Sequence, residues 1–314
     1  MKMLSKFLKQ LSVHTGLSEA DLLKIWTNAP DRYKVFRIRK RSGGWREIAQ
    51  PARELKLVQR ALVEILLSQL PVHDAATAYV RGRSILDNAT PHRGDTPILK
   101  LDFRDFFPSI LAEDWEAYCA AHDVIQGSDV HLTSRMLFRR PRSSTKLRLS
   151  IGAPSSPMLS NVLMYEFDDA IDKIAKDKGI AYTRYADDLT FSGQRIGMLQ
   201  DMVRAVKKTL RNQSSPKLRL NQSKTVFVTM ASKRTVTGVV LANDGTAGIG
   251  RGRKRELSAA VHHAKMGKLE KSELKELCGH LAFANAIDPD FLKFLAKKYG
   301  SEVIRAIQSA VELK

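Results

Sequence analysis

Apolar positions in the first thirty residues recur at helical spacing. Leu4, Phe7, Leu8 and Leu11 fall on one face, and Ser18 followed by Glu19 and Asp21 marks a second helix start that Pro30 closes. Residues 33–50, YKVFRIRKRSGGWREIAQ, change to alternation around Ser42-Gly43-Gly44, which predicts a basic hairpin. A helix over 53–70 follows, with Leu55, Val58, Leu62, Ile65 and Leu66 on one side. PILKLDF at 97–103 predicts a short apolar strand, and LAEDWEAYCAAH from Leu111 and residues 158–176 have helical period. YTRYADDLTFS at 182–192 reads as two strands about a tight turn, followed by a helix from about Arg195 to Leu210. Two or three short strands between Leu218 and Leu241 precede a Lys-rich helical tail from Arg253 onward. This order predicts an α+β fold in which helices back an antiparallel sheet.

Composition narrows the partners. With 314 residues and 43% hydrophobic content the chain can bury a core for one large domain or a few subdomains. Its net charge of +19 favours a polyanion, most commonly nucleic acid, although a basic surface kept for solubility would have the same composition. Cys119 and Cys278 stand far apart, and the spacings among His262, His263, Cys278 and His280 fit no zinc site. No apolar run is long enough for a signal peptide or membrane span, so the expectation is a cytoplasmic protein without a membrane partner. Internal repeats, low-complexity tracts and flexible linkers are absent from the sequence.

Against that positive balance, Asp187 and Asp188 stand side by side at the tip of a hairpin. A two-residue turn cannot bury its tip in a core, so these carboxylates face solvent, a ligand or each other; ordinary turn chemistry would account for one of them. In LKLDFRDFFPSI, Asp102 ends an apolar strand where a core side chain is expected, and a buried carboxylate is costly without a cation. If strand and hairpin are neighbours in one sheet, Asp102 and Asp187 can bind two Mg²⁺ ions roughly 4 Å apart, clamping the attacking and leaving oxygens of phosphoryl transfer.

LKLDFRDFFPSI, IGAPSSPMLSN at 151–161, YADD at 185–188 and LNQSKT at 220–225 resemble, in order, the palm motifs of reverse transcriptases. NATPH at 88–92 is similar to the NAxxH signature of bacterial retron reverse transcriptases, and Val236-Thr237-Gly238 to their VTG signature. The resemblance covers roughly residues 30–310 and implies a right-hand polymerase fold. Residues 1–96 would form N-terminal helices and fingers, 97–232 the palm, with about 125–160 contributing to fingers and template loop, and 233–314 a small helical thumb. It implies RNA-directed synthesis of DNA from dNTPs with two Mg²⁺. The cognate structured non-coding RNA would serve as template and 2′-OH primer, giving a branched RNA–DNA product. Implied partners are the RNA–DNA hybrid, a host RNase H, and an effector protein in antiphage defence. Two alternatives stay open: a group II intron-like or other bacterial reverse transcriptase, and a non-catalytic RNA-binding scaffold, against which the three intact carboxylates stand.

By this resemblance Asp102 and Asp187 are catalytic metal ligands, and Asp188 completes or supports the set. Asp105 falls where the family places backbone near the incoming triphosphate, though an exposed turn Asp accounts for its side chain equally well. Phe107 takes the place of the aromatic residue beneath the nucleotide sugar, where it would clash with a ribose 2′-OH; the other account is a core Phe beside Phe106. Gly152 opens a loop around the nascent base pair, and Ile151 replaces the Gln that many relatives carry, so no contact of that Gln is carried over. Lys224 takes the position of a lysine that approaches the triphosphate and protonates pyrophosphate, or it is simply a surface charge. Arg46, Arg53 and Lys56 are candidate phosphate ligands in the fingers. Asn88 and His92, Val236, Thr237 and Gly238, and Arg251 and Arg253 are candidate RNA-binding residues; the other account is a structural pair for Asn88 and His92, whose role the signature does not fix, and a solvated basic face for the two arginines. The last two belong to a basic thumb suited to the backbone of an A-form hybrid.

Overall fold

A computed structural model describes residues 6–40 and 43–309. Leu4 of the first expected helix and Ser42 of the first expected turn lie outside the described residues. Leu8 and Leu11 bury one side of α1 (Lys6–Thr15), and the Ser18 hydroxyl caps α2 (Glu19–Asn28) by accepting from the Asp21 N–H. The alternating segment forms an antiparallel ribbon of β1 (Tyr33–Arg39) and β2 (Trp45–Pro51) that is largely exposed. Helix α3 (Arg53–Ile65) stops earlier than its apolar stripe suggests, because Leu66 leaves helical geometry. After α4 (Ile85–Ala89) come β3 (Ile98–Asp102), the single turn α5 (Phe106–Ser109), α6 (Ala112–His122) and α7 (Ser128–Leu137), the last with no counterpart in the sequence reading. The helix expected over 158–176 is two helices, α8 (Ser156–Leu163) and α9 (Tyr165–Asp177), broken where Met164 sits at φ −92°, ψ 0°.

The hairpin is β4 (Ala181–Tyr185) and β5 (Asp188–Ser192), and α10 (Ile196–Asn212) and β6 (Val226–Val228) follow. A second small sheet, β7 (Thr235–Val236), β8 (Val239–Leu241) and β9 (Ala247–Gly248), leads into four helices, α11 (Arg251–Lys265), α12 (Lys271–Ile287), α13 (Pro289–Tyr299) and α14 (Ser301–Ser309).

The central sheet has the order β4-β5-β3-β6, antiparallel throughout. Strand alternation gives it two unlike faces. Leu99, Leu101, Leu189, Phe191 and Tyr182 point into the main core with α1–α3 and α6–α10. The opposite face carries Ile98, Lys100 and Asp102 of β3 beside Asp188, Thr190 and Ser192 of β5. Ile98 there joins a second apolar cluster with Ala89 of α4, Val236, Val239 and the C-terminal helices. Thus α4, early in the chain, packs with the elements that end it.

One residue breaks the apolar rule of the core-facing side. Arg184 lies opposite Leu189 and has no exposed surface, and Asp168 of α9, beside the buried Phe167, Ile171 and Ala175, has none either. Arg184 Nε donates to both carboxylate oxygens of Asp168 at 2.8 and 3.0 Å and Nη2 donates to Oδ2 at 2.6 Å, while the Tyr182 hydroxyl donates to Oδ1 at 2.7 Å. Nη1 donates to Asn161 Oδ1 and to the Ala186 carbonyl, each at 3.1 Å. Burial, followed by the Asp168 charge, pushes the Tyr182 phenol well above its ordinary range, so it remains a donor. Because the pair is fully desolvated, Asp168→Ala should lower the free energy of unfolding by about 3–5 kcal/mol in urea melts. Asp169→Ala, which removes only an exposed pair with Lys173, should cost less than about 1 kcal/mol.

Candidate active site

The parity that buries Leu99 and Leu101 turns Asp102 to the other face at the end of β3. Its Cα partner across the ladder is Asp188. The hairpin turn is Ala186-Asp187, so of the two adjacent carboxylates only Asp187 occupies the tip, and Asp188 opens β5. This corrects the picture of two side chains at a tip. The Phe103 N–H donates to the Asp187 carbonyl at 3.1 Å, tying the turn to the end of β3. Asp102 is buried and Asp187 half-buried; Asp188 is open to solvent along part of the residue, while its carboxyl lies against that of Asp102.

The LNQSKT stretch runs alongside. The Asn221 N–H donates to the Asp102 carbonyl at 2.7 Å, and one turn of 3₁₀ helix at Gln222–Lys224 then brings Lys224 over the strand end. Lys224 Nζ donates to Asp102 Oδ2 at 2.7 Å, and Asn221 Nδ2 to Oδ1 at 3.3 Å. Asp102 therefore has the cation its burial requires, supplied by the protein.

Burial and then the charge of Asp102 raise the Asp187 carboxyl above its ordinary range. Burial, then Asp187 and Asp102, push Asp188 up to about 6. The bond to Asp102 holds the Lys224 ammonium above its usual value. Three mutually repelling carboxylates, one of them answered by Lys224, form a hard oxygen donor set short of positive charge, which is the chemistry of a divalent-cation site. Among the described residues no three His, Cys, Asp or Glu side chains close into a ready-made metal site.

Phe107, five residues beyond Asp102, is half-buried, and Phe106 beside it is core, stacked on Phe103 at 5.6 Å. Asp105 adopts φ 48° with an exposed side chain near its neighbour Arg104, and it lines a cavity of about 540 Å³ with Arg139 and Arg148. Gly152 sits at φ 117°, where a Cβ would lie 3.0 Å from the Ala49 carbonyl oxygen. The close approach that Gly152 permits is thus to β2, whose Ala49 N–H donates to the Ile151 carbonyl at 2.8 Å.

The two retron signatures meet each other. Val236-Thr237-Gly238-Val239 is a two-residue hairpin turn with positive φ at Thr237 and Gly238. Asn88 Nδ2 donates to Thr237 Oγ1 at 3.4 Å, Asn88 Oδ1 accepts from Thr77 Oγ1 at 2.8 Å, and Thr237 Oγ1 donates to the Ile85 carbonyl at 3.2 Å. His92 bonds Ser192 Oγ through Nδ1 and Thr183 Oγ1 through Nε2, each at 2.8 Å. Asn88, His92 and Val236 are buried, which corrects their expected part in direct RNA contact: they have no surface to offer, and their polar atoms are spent inside the protein. Thr237 is half-buried, while Gly238 and Arg251 are exposed. The Arg253 guanidinium lies over the Phe283 ring, 4.6 Å from its centroid.

Sequence reasoning missed Arg184, Asp168, Asn161 and Tyr79. A signal existed for two of them: Arg184 shares strand parity with Tyr182, and Asp168 stands within the stripe of Met164, Ile171 and Ala175, so each is a charge written at a core position.

A family model described as "Reverse transcriptase (RNA-dependent DNA polymerase)" matches residues 38–241. The chain is 41% identical over 283 residues to the retron Ec83 reverse transcriptase of Escherichia coli, covering 89% of this chain and 91% of that protein. It is 33% identical to the retron Ec86 reverse transcriptase of the same species, covering 93% and 90% respectively. Among solved structures, a foamy viral protease-reverse transcriptase in complex with double-stranded DNA aligns with 88% of this chain and 44% of its own, at 14% identity and a TM-score of 0.45.

The buried histidine has a consequence for stability. Burial, followed by the charge of Lys100, pushes the His92 imidazole down to about 3, whereas an unfolded histidine titrates near 6.5, so between these values the unfolded chain takes up a proton that the folded chain refuses. The stabilisation is intact above about pH 6.5 and is lost as pH falls toward 3. Between pH 7 and 5 the wild-type protein should therefore lose about 2 kcal/mol more than His92→Gln, compared by chemical denaturation at each pH.

Proposed function

The chain belongs to the bacterial retron reverse transcriptases, RNA-directed DNA polymerases, and from that premise we propose that it copies its own structured non-coding RNA. That RNA supplies both the template and a 2′-OH primer, and the product is branched RNA–DNA that acts with an effector protein in antiphage defence. The observation that carries this reading is the convergence of Asp102, Asp187 and Asp188 at one end of the sheet, with Lys224 bonded to Asp102. Asn88 and Thr237, the two signature residues, join the sheet's opposite face to the elements that follow it.

Reverse transcriptases generally work with divalent metal ions. We assign two Mg²⁺ to Asp102, Asp187 and Asp188, where when bound they would activate the attacking hydroxyl and neutralise charge on the leaving pyrophosphate. Asp102, fixed by Asn221, and Asp187, fixed by the turn, orient the donor oxygens before substrate arrives. Lys224 holds a proton at Nζ beside the same carboxylates and is the donor we assign to pyrophosphate. Phe107 presents an aromatic face to the sugar and so excludes a ribose 2′-OH. Arg251 at the start of α11 follows the backbone of the RNA–DNA hybrid, and template removal falls to a host RNase H. Among the described residues no helix is long and apolar enough to cross a membrane; we place the reaction in the cytoplasm.

Asp187→Asn keeps the shape of the turn and removes one anionic donor. DNA synthesis on the cognate RNA should fall by at least about 10³-fold while RNA affinity in a filter-binding assay stays unchanged. Near-wild-type extension would remove the metal assignment. Phe107→Ala should raise incorporation of rNTPs relative to dNTPs, because rejection by a clash disappears with the clashing group. An unchanged ratio in steady-state incorporation would return Phe107 to the core.

A further inference from the structure

Tyr79 has a backbone conformation that its side chain disfavours. It lies at φ 63°, in the left-handed region, yet the residue is 49% exposed and gains little from core packing. The ring stands 6.4 Å from that of Phe107, centroid to centroid. Burial, then the charges of Asp187 and Tyr185, raises its phenol, and the Arg46 charge opposes them, so these groups lie within electrostatic reach of it. Tyr79 thus stands beside Phe107 and within the field of the carboxylate turn.

The segment leading to it is held firmly. The Arg184 N–H donates to the Ala75 carbonyl at 2.7 Å and the Thr77 N–H to the Arg184 carbonyl at 2.9 Å, pinning residues 75–77 along β4. Buried Asn161 donates from Nδ2 to the Ala78 carbonyl at 2.8 Å, and its Oδ1 accepts from Arg184 Nη1, whose other acceptor is Ala186. One buried relay thus sets both the turn that bears Asp187 and the residue preceding Tyr79. A position strained for a bulky side chain, half-open to solvent and fixed from beneath, retains a ring for what the ring touches in the site.

We propose that Tyr79 is a further dNTP-binding residue, its ring forming with Phe107 the wall against which the deoxyribose of the incoming dNTP packs, and that Asn161 is the positioning residue that holds it there. This rests on the polymerase reading given above. Tyr79→Gly removes the ring and relieves the backbone together. The variant should melt no lower than wild type and bind an annealed RNA–DNA primer-template equally well. Its KM for dNTPs should rise about ten-fold, with kcat within about three-fold of wild type. Tyr79→Asn, which also tolerates the left-handed backbone, should behave alike, and Tyr79→Phe should keep the wild-type KM. Asn161→Ala should raise KM in the wild-type background and by a smaller factor in the Tyr79→Gly background, where only its hold on the Asp187 turn is left to lose. Unchanged KM in the Gly and Asn variants, a lower melting temperature with unchanged KM, or lost primer-template affinity would each overturn the assignment. A wild-type enzyme that fails to extend the annealed primer would instead overturn the reading on which it rests.

Discussion

A guanidinium without exposed surface is kept in a core only if its donors are answered, and Arg184 is kept that way. Its acceptors come from α9, from α8 and from the turn two residues ahead of it, so satisfying one side chain fixes the relative placement of two helices and a hairpin. Hydrophobic packing alone would tolerate small slips among these elements, because apolar contact has no direction. Hydrogen bonds to a buried charge do not tolerate them. The carboxylate cluster inherits its geometry from this constraint, since Asp187 follows directly on the carbonyl that Arg184 holds.

Strain gathers around the same place. Five non-glycine residues have positive φ among the described residues, and four of them, Tyr79, Asp105, Ala186 and Thr237, lie on or beside the motifs that carry the proposed chemistry or the two signatures. Such conformations cost on the order of 1–3 kcal/mol each and persist where surrounding structure over-determines them. Hydrogen bonds at Ala78, Ala186 and Thr237 are that surrounding structure.

Much of this was legible beforehand because it rests on local periodicity or on residues out of keeping with their surroundings. Alternation marked the β1–β2 ribbon and the β4–β5 hairpin, and Asp102 was conspicuous as a carboxylate ending an apolar strand. The break at Met164 was not legible: apolar spacing continues across it, and no Pro or Gly announces it. Helix α7 was missed because SDVHLTSRML mixes polar and apolar residues without a clear stripe, although Leu132, Met136 and Leu137 are buried. Asn88 and His92 are RNA-binding candidates through the signature alone, and their four-residue spacing does not show which way they face. Their burial depends on Thr77, Thr183, Ser192 and Thr237, partners that only the tertiary fold assembles.

The contact between Asn88 and Thr237 redraws the seams of the molecule. In chain order, α4 belongs with the ribbon and helices that precede the central sheet, yet Ala89 shares its apolar cluster with Val236, Val239 and the C-terminal helices. Residues 84–92 are thus a splint from the first third of the chain bound into the last. An engineer who exchanges C-terminal regions between relatives at a single junction would import the hairpin without its splint, leaving a buried asparagine matched to a surface that has changed. The interchangeable part has two pieces, distant in sequence, and any inherited variation in one is expected to be answered in the other.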